Sequence, residues 1–260
     1  MKLSLIVPCF NEAENVPKLH DELLSVIQSM LERGRMNADE TLESVEMIFV
    51  DDGSSDGTRA RLKERFCDVK IPGLSFHFLR HEVNAGLGAA IRTGLSQASG
   101  EILMTVDSDG TYQFSEIPAL LNCLTSGVDI VTASPYHPQG GVIGVPEYRL
   151  LFSKGSSMLY RILVDRSVYT YTCLFRAYRA RVVREVSFDS NDFLGGTELL
   201  VKAMLRGFHA VDFPSVLHKR MYGVSKARIA RTVRSHLKFM GWVLLQRMRM
   251  TLHMQAQGTA

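Results

Sequence analysis

The chain has 260 residues, 46% of them hydrophobic and 22% charged, with a formal net charge of +3. Such a composition buries a sizeable core and excludes a disordered chain, and no apolar run approaches the ~20 residues of a membrane-spanning helix. Charge is unevenly spread: nine of the 30 Lys+Arg and none of the 27 Asp+Glu lie beyond Asp212, so an acidic body precedes a basic end suited to anions.

Short apolar runs alternate with helical patterns through the first half, as in a mostly parallel sheet with crossover helices. Leu3 to Val7 reads as a buried strand and Asn15 to Leu31 as a helix, its apolar residues near helical spacing. Strands follow at Val45 to Val50, Leu74 to Leu79, Glu101 to Val106 and Val128 to Ala133. Between them lie a helix started by Ser55-Asp56-Gly57-Thr58, a small-residue helix from Gly86 to Ala98, and a third from Ser115 to Leu124. Pro135 to Pro146 is a Gly/Pro-rich loop, long enough to be a functional lid. A helix (Glu147 to Leu163), a strand (Thr172 to Tyr178), a helix (Thr197 to Arg206), a strand (Ala210 to Phe213) and a basic helix (Lys226 to Met250) complete the chain. The apolar run after Met1 is too short for a signal peptide and is stopped by Pro8. Four cysteines with no CxxC pair argue against a disulfide framework or zinc site and fit a reducing cytosol.

Ligands of open α/β sheets bind outside the carboxyl ends of the strands. Three strands here end in polar clusters: Pro8-Cys9-Phe10-Asn11-Glu12, Asp51-Asp52-Gly53-Ser54 and Asp107-Ser108-Asp109-Gly110. Parallel strands share a direction, so the three clusters meet on one rim. A lone Asp-Gly is more often a turn, and Asp56-Gly57-Thr58 reads equally as a helix start. Asp107 and Asp109, however, place two like charges at a buried strand end, which is unfavourable without a cation. Hard oxygen ligands suit Mg²⁺ or Mn²⁺.

Val7-Pro8-Cys9-Phe10-Asn11-Glu12, the Asp51 to Thr58 run, Asn84-Ala85-Gly86-Leu87-Gly88 and Asp107-Ser108-Asp109 together resemble the ordered signature of family 2 inverting glycosyltransferases. The likeness is to their dolichol-phosphate (polyprenyl-phosphate) mannosyltransferase branch and runs from Leu3 to about Lys226. It implies a Rossmann-like A-type glycosyltransferase fold of the α/β class, with a mostly parallel sheet, flanking helices and a C-terminal amphipathic basic helix. Residues 1–225 would be the catalytic domain, 1–134 its donor half and 135–225 its acceptor half, and 226–260 a basic helix and tail. By the same resemblance Pro8, Phe10 and Glu12 line the nucleotide base and Asp51 and Asp52 contact base and ribose. Asn84 and Gly88 flank the diphosphate, and Asp107, Ser108 and Asp109 form the metal-binding segment. Thr111 stands where this branch often has a glutamine ligand.

On the acceptor side Arg149 and Ser153 match an Arg-xxx-Ser pattern that holds the acceptor phosphate in such enzymes. Phe175-Arg176 resembles their GFR segment, and Arg220 to Lys226 their R-xx-G-x-SK segment. Guanidinium groups suit phosphate because their donors bind it bidentately. Pro135 departs from the pattern, replacing the arginine of GSRY. Glu198 is read both as a general base for a sugar hydroxyl and as a first-turn acid stabilised by the helix dipole.

The function expected is metal-assisted, in-line transfer of mannose or glucose from GDP-mannose or UDP-glucose to a polyprenyl-phosphate-type acceptor. Asp109, Arg149, Arg220 and Glu198 are the candidate catalytic residues. The basic helix, with Arg228, Arg231, Arg234, Lys238 and Trp242, fits an anionic leaflet better than nucleic acid, placing the protein peripherally on the cytoplasmic face of the membrane. Three alternatives stay open: a family 2 enzyme acting on a sugar hydroxyl or cell-wall precursor, a nucleotidyltransferase, and an inactive membrane-associated nucleotide-sugar-binding protein.

Overall fold

The computed structural model describes residues 1–220, 222 and 229–257. Strand β1 (Lys2–Cys9) is buried at every position from Leu3 onward, as expected of a strand covered on both faces. Successive side chains point to opposite faces. Leu3, Leu5 and Val7 meet Val16, Leu19, Leu23 and Ile27 in one core. Ile6 enters the other, with Ile91, Leu95, Leu199 and Leu200.

The chain continues through α1 (Val16–Lys18), a π-helical turn (Leu19–Leu23) and α2 (Leu24–Arg33) without leaving helical dihedrals. Then come β2 (Ser44–Asp51), α3 (Thr58–Phe66), β3 (Leu74–Arg80), α4 (Leu87–Gln97), β4 (Ile102–Thr105), α5 (Ile117–Asn122) and β5 (Ile130–Ser134). Small residues let α4 lie close on β1: a Cβ added to Gly94 would stand 2.3 Å from Ile6 Cγ2. The second half contains β6 (Gly141–Ile143), α6 (Glu147–Leu163), β7 (Arg176–Arg179), α7 (Ala180–Glu185), α8 (Gly195–Leu205), β8 (Ala210–Pro214), β9 (Val216–His218) and α9 (Ile229–Gln257).

The main sheet has seven strands in the order β3-β2-β1-β4-β7-β5-β8. All neighbours pair in parallel except β7, which is antiparallel to both β4 and β5. The strand expected from Thr172 is therefore shorter and reversed. Helix α6, which precedes it, packs through Tyr160 against His236 and Phe239 of α9. Because β7 lies between β4 and β5, residues before and after 134 contribute strands to one sheet. Three further differences from expectation appear. The 135–146 loop contains β6, which pairs with the distant β9 in a small parallel ribbon, and α7 was not foreseen. Helix α9 reaches Gln257, past the expected end at Met250.

Candidate active site

The β1–β2 register sets Cys9 beside Asp51, and β4 lies along the other edge of β1, so the three polar clusters emerge together. The first two are stitched to each other. Asp52 N–H donates to the Cys9 carbonyl at 2.8 Å, Glu12 N–H to Thr58 Oγ1 at 2.8 Å, and Ala13 N–H to Asp56 Oδ2 at 3.1 Å. Asn11 is the one non-glycine residue with positive φ (53°) among the described residues. Its Oδ1 accepts the Ser55 N–H at 2.8 Å and its own N–H donates to Ser54 Oγ at 2.9 Å, bonds that over-determine this conformation. Asp56 also accepts the Thr58 N–H at 3.0 Å, so this segment is both a clamp and a helix start.

Below the stitched loops sits a carboxylate cluster. Arg220 Nε donates to Asp109 Oδ2 at 2.7 Å and its Nη1 to Glu12 Oε1 at 3.1 Å. Glu12 Oε2 accepts from Asn15 Nδ2 at 2.5 Å. Asp107 is half-buried, and its shielded Oδ2 has no hydrogen-bond partner among the described residues. Burial first, and then the neighbouring Asp109 charge, push its carboxyl well above the usual range. For Arg220 burial opposes the charge, but Asp109 and Glu12 prevail and hold the guanidinium above its ordinary value. An orphaned carboxylate oxygen beside a second carboxylate is a place for a hard cation. Among the described residues no group of three or more His, Cys, Asp or Glu could hold a metal ion, so Asp107 and Asp109 would supply a minority of its ligands.

The other donor-side residues divide. Pro8 and Ser108 are buried and Phe10 half-buried on the same rim. Asp51 Oδ1 accepts the Ser54 N–H at 3.1 Å. Its Oδ2 has no hydrogen bond among the described residues, although Arg80 Nε stands 3.9 Å away. Asp52, expected to touch base and ribose, is instead committed to the protein. It accepts from Asn84 Nδ2 at 2.9 Å, Ala85 N–H at 2.8 Å and Gly86 N–H at 2.8 Å, and faces His81 Nδ1 at 2.7 Å. This carboxylate shapes the exposed 83–85 loop and draws the Asn84 amide back onto it. Gly88, expected beside the diphosphate, is buried, and its N–H goes to the Asn191 carbonyl at 2.8 Å. Its missing side chain makes room for the 190–192 backbone.

On the acceptor side Ser153 Oγ lies 2.6 Å from Thr172 Oγ1. The side chain of Arg149, and Lys226 altogether, lie outside the described residues. Arg176 is fully buried, with Nη1 donating to the Gly196 carbonyl at 2.7 Å and Nη2 to the Tyr171 carbonyl at 3.1 Å. It is an internal strut, which corrects its expected role as an acceptor-phosphate ligand. Glu198 is buried as well, accepting the Ser190 N–H at 2.9 Å and pairing with Lys202 Nζ at 2.6 Å. Burial raises its carboxyl, but Lys202 and Ser190 outweigh that and hold it below its usual range. Glu198 thus secures the 189–190 loop rather than facing an acceptor hydroxyl.

Sequence reasoning missed His81, whose Nε2 also meets Thr93 Oγ1 at 2.9 Å, although its place just after β3 was a strand-end signal. The 188–194 loop carried no local signal. It gains importance only by packing on Gly86 and Gly88.

The family model described as glycosyl transferase family 2 matches residues 4–187. The chain belongs to this family. It is a glycosyltransferase, 30% identical over 228 residues to a polyprenol monophosphomannose synthase of Mycolicibacterium smegmatis, covering 85% of this chain and 79% of that protein. A dolichol-phosphate mannosyltransferase of Pyrococcus furiosus is 28% identical over 92% of this chain and 62% of its own length. Among solved structures, glucosyl-3-phosphoglycerate synthase of Mycobacterium tuberculosis, complexed with Mn²⁺, UDP and its product, aligns with a TM-score of 0.62 at 19% identity, over 92% of this chain and 79% of that one. A mannosyltransferase of Pyrobaculum calidifontis with GDP-Man and Mn²⁺ gives a TM-score of 0.57 at 19% identity, over 90% and 61%. These likenesses establish the expected fold.

Proposed function

We propose that the chain transfers mannose from GDP-mannose to a polyprenyl phosphate, inverting the anomeric centre. The observation that carries the reading is the Asp107-Asp109-Glu12-Arg220 cluster, a cation-ready site for a diphosphate at the meeting of three strand ends. Supporting it, the relatives at 28–30% identity are named as polyprenyl- or dolichyl-phosphate mannosyltransferases. Asp107 and Asp109 would hold Mg²⁺ or Mn²⁺, which when bound neutralises charge on the departing nucleoside diphosphate. Arg220 adds a second positive charge beside the leaving group. Asp51 Oδ2, buried and without a hydrogen bond among the described residues, is the remaining acceptor for base or ribose, and Asp52 fixes the 84–86 loop. A phosphomonoester, with its second pKa at ~6, is largely dianionic at neutral pH and attacks without a general base, in keeping with Glu198 being engaged elsewhere.

The acceptor would come from a membrane, on whose cytoplasmic face the protein sits. No helix among the described residues is long and apolar enough to cross a bilayer. Helix α9 buries Phe239, Met240 and Val243 against the body while Leu237, Leu244, Leu245 and Met248 remain exposed beside Arg231, Arg234 and Lys238. Leu151, Met158 and Ile162 of α6 are exposed as well. Deleting α9 would uncover the core, so the cleaner membrane test is Leu237→Glu with Leu244→Glu and Met248→Glu. These changes should release the protein from anionic vesicles at unchanged melting temperature. Function itself is tested by mass spectrometry of the lipid extract after incubating GDP-mannose or UDP-glucose, Mn²⁺ and undecaprenyl phosphate. Absence of any lipid-linked hexose refutes the reading.

A further inference from the structure

The 135–143 loop and α6 enclose an open cavity of about 760 Å³. Val142, Leu150 and Leu151 are its apolar lining and Tyr136, His137 and Lys154 its polar lining, with Lys154 one turn after Leu150 on the same face of α6. The cavity's Tyr136 side leads through Cys173 toward Asp107. The buried Tyr136 hydroxyl has no hydrogen-bond partner among the described residues, and Cys173 lies within electrostatic reach of both Tyr136 and Asp107. A ligand filling this space therefore has an oily flank and a polar head near the donor.

The polar groups are arranged as donors. His137 Nδ1 accepts the Gln139 N–H at 3.1 Å, which in the neutral ring leaves the proton on Nε2. The imidazole is held edge-on to Tyr169 with centroids 5.3 Å apart. Its turn is closed by Gly140 N–H on the His137 carbonyl at 2.8 Å, and a Cβ at Gly140 would meet the Ser134 carbonyl at 2.4 Å. Lys154, one residue after Ser153, is exposed and makes no ion pair among the described residues. Glu147 also lines the cavity, but it lies seven residues earlier on α6, ~10 Å along the helix axis. There it faces the positive helix start rather than Lys154. An ammonium and a fixed imidazole N–H at the head of an apolar cavity suit a phosphomonoester on a hydrocarbon chain.

We propose that His137 and Lys154 clamp the acceptor phosphate, taking over from the arginine that Pro135 replaces, with the polyprenyl chain lying along Val142, Leu150 and Leu151. The assignment rests on the polyprenyl-phosphate reading above. His137→Ala and Lys154→Ala are each expected to raise KM for citronellyl phosphate about tenfold, as for loss of one charge-assisted hydrogen bond, with KM for the nucleotide sugar unchanged. Pro135→Arg in the double variant should recover at least part of the loss, which a merely structural role would not allow. Unchanged acceptor KM in the double variant, or a parallel rise in donor KM, overturns the clamp. Equilibrium binding of citronellyl phosphate separates this from failure of the reading beneath it. Binding lost in the double variant while wild type transfers nothing overturns the functional reading alone, and binding retained overturns the clamp. Equal affinity for glycerol 3-phosphate would reassign the site to a soluble phosphomonoester and overturn the lipid assignment.

Discussion

Gly88→Ala separates a packing role for this glycine from direct contact with the donor diphosphate. An added Cβ would lie 2.1 Å from the Ser190 carbonyl oxygen, 2.9 Å from that of Asp192 and 3.0 Å from the Asn191 carbonyl carbon. All three are backbone atoms, so the loop itself must move. Overpacking of this kind costs up to ~3 kcal/mol, and the Gly88 N–H bond to Asn191 is worth ~1 kcal/mol more. Alanine returns ~1 kcal/mol through its better helix propensity, leaving a net loss of about 3 kcal/mol. At ~2–4 °C per kcal/mol for a chain of this size, the melting temperature should fall by roughly 6–12 °C. Gly196→Ala is the control, because a Cβ there meets nothing within 4 Å; its melting temperature should hold or rise slightly. Circular dichroism measures both, and calorimetry with GDP-mannose gives donor affinity. A Gly88→Ala protein that melts like wild type but binds nucleotide poorly would refute the packing argument and return Gly88 to the diphosphate.

Asp109→Asn removes a metal-facing charge and the partner of Arg220, and should lower metal-dependent kcat at least ~10²-fold, the scale of losing one electrostatic stabiliser; near-normal turnover with Mn²⁺ would remove Asp109 from the mechanism. Glu46 is buried among Lys2, Ser4 and Ser99, whose bonds outweigh burial and hold its carboxyl down at about 2 from an ordinary 4.5. Its stabilisation is therefore complete above pH 4.5 and lost as pH falls toward 2, and Glu46→Gln should flatten acid unfolding in that window. Burial lowers His236 to about 4 from 6.5. Its folded form resists protonation, so stability is full above pH 6.5 and declines as pH falls toward 4. Trp242, the only tryptophan, stacks on Phe239 beside this contact, and its fluorescence should report loosening of α9 in that range in wild type but not in His236→Phe.

The parallel half of the fold was legible because each strand is a continuous apolar run followed by a helical pattern. Leu3 to Val7 and Val45 to Val50 carry that signal within their own residues. Strand β7 did not, because its antiparallel insertion between β4 and β5 is a tertiary choice absent from residues 172–178. Within the site, Asp107, Asp109 and Arg220 were found from charge and motif, and the structure brings Asp109 and Arg220 into contact. Asp52, Gly88 and Arg176 were singled out as ligand-binding residues, and each is engaged by the protein itself. A motif marks a position as constrained without saying whether ligand or protein does the constraining. For these three, the constraint is the 84–86 loop, the 190–192 backbone and the 171 and 196 carbonyls.

The reversed strand β7 also has a consequence for how the chain comes together. Strands β4 and β5 each pair with β7 and not with each other. Until residues 176–179 emerge during synthesis, a nascent chain displays two unpaired strand edges on either side of an empty slot. Exposed edges invite pairing with other chains, and slow non-local closure lengthens that exposure. A four-residue segment late in the sequence thus closes this slot, after which the outer edge of β5 still waits for β8.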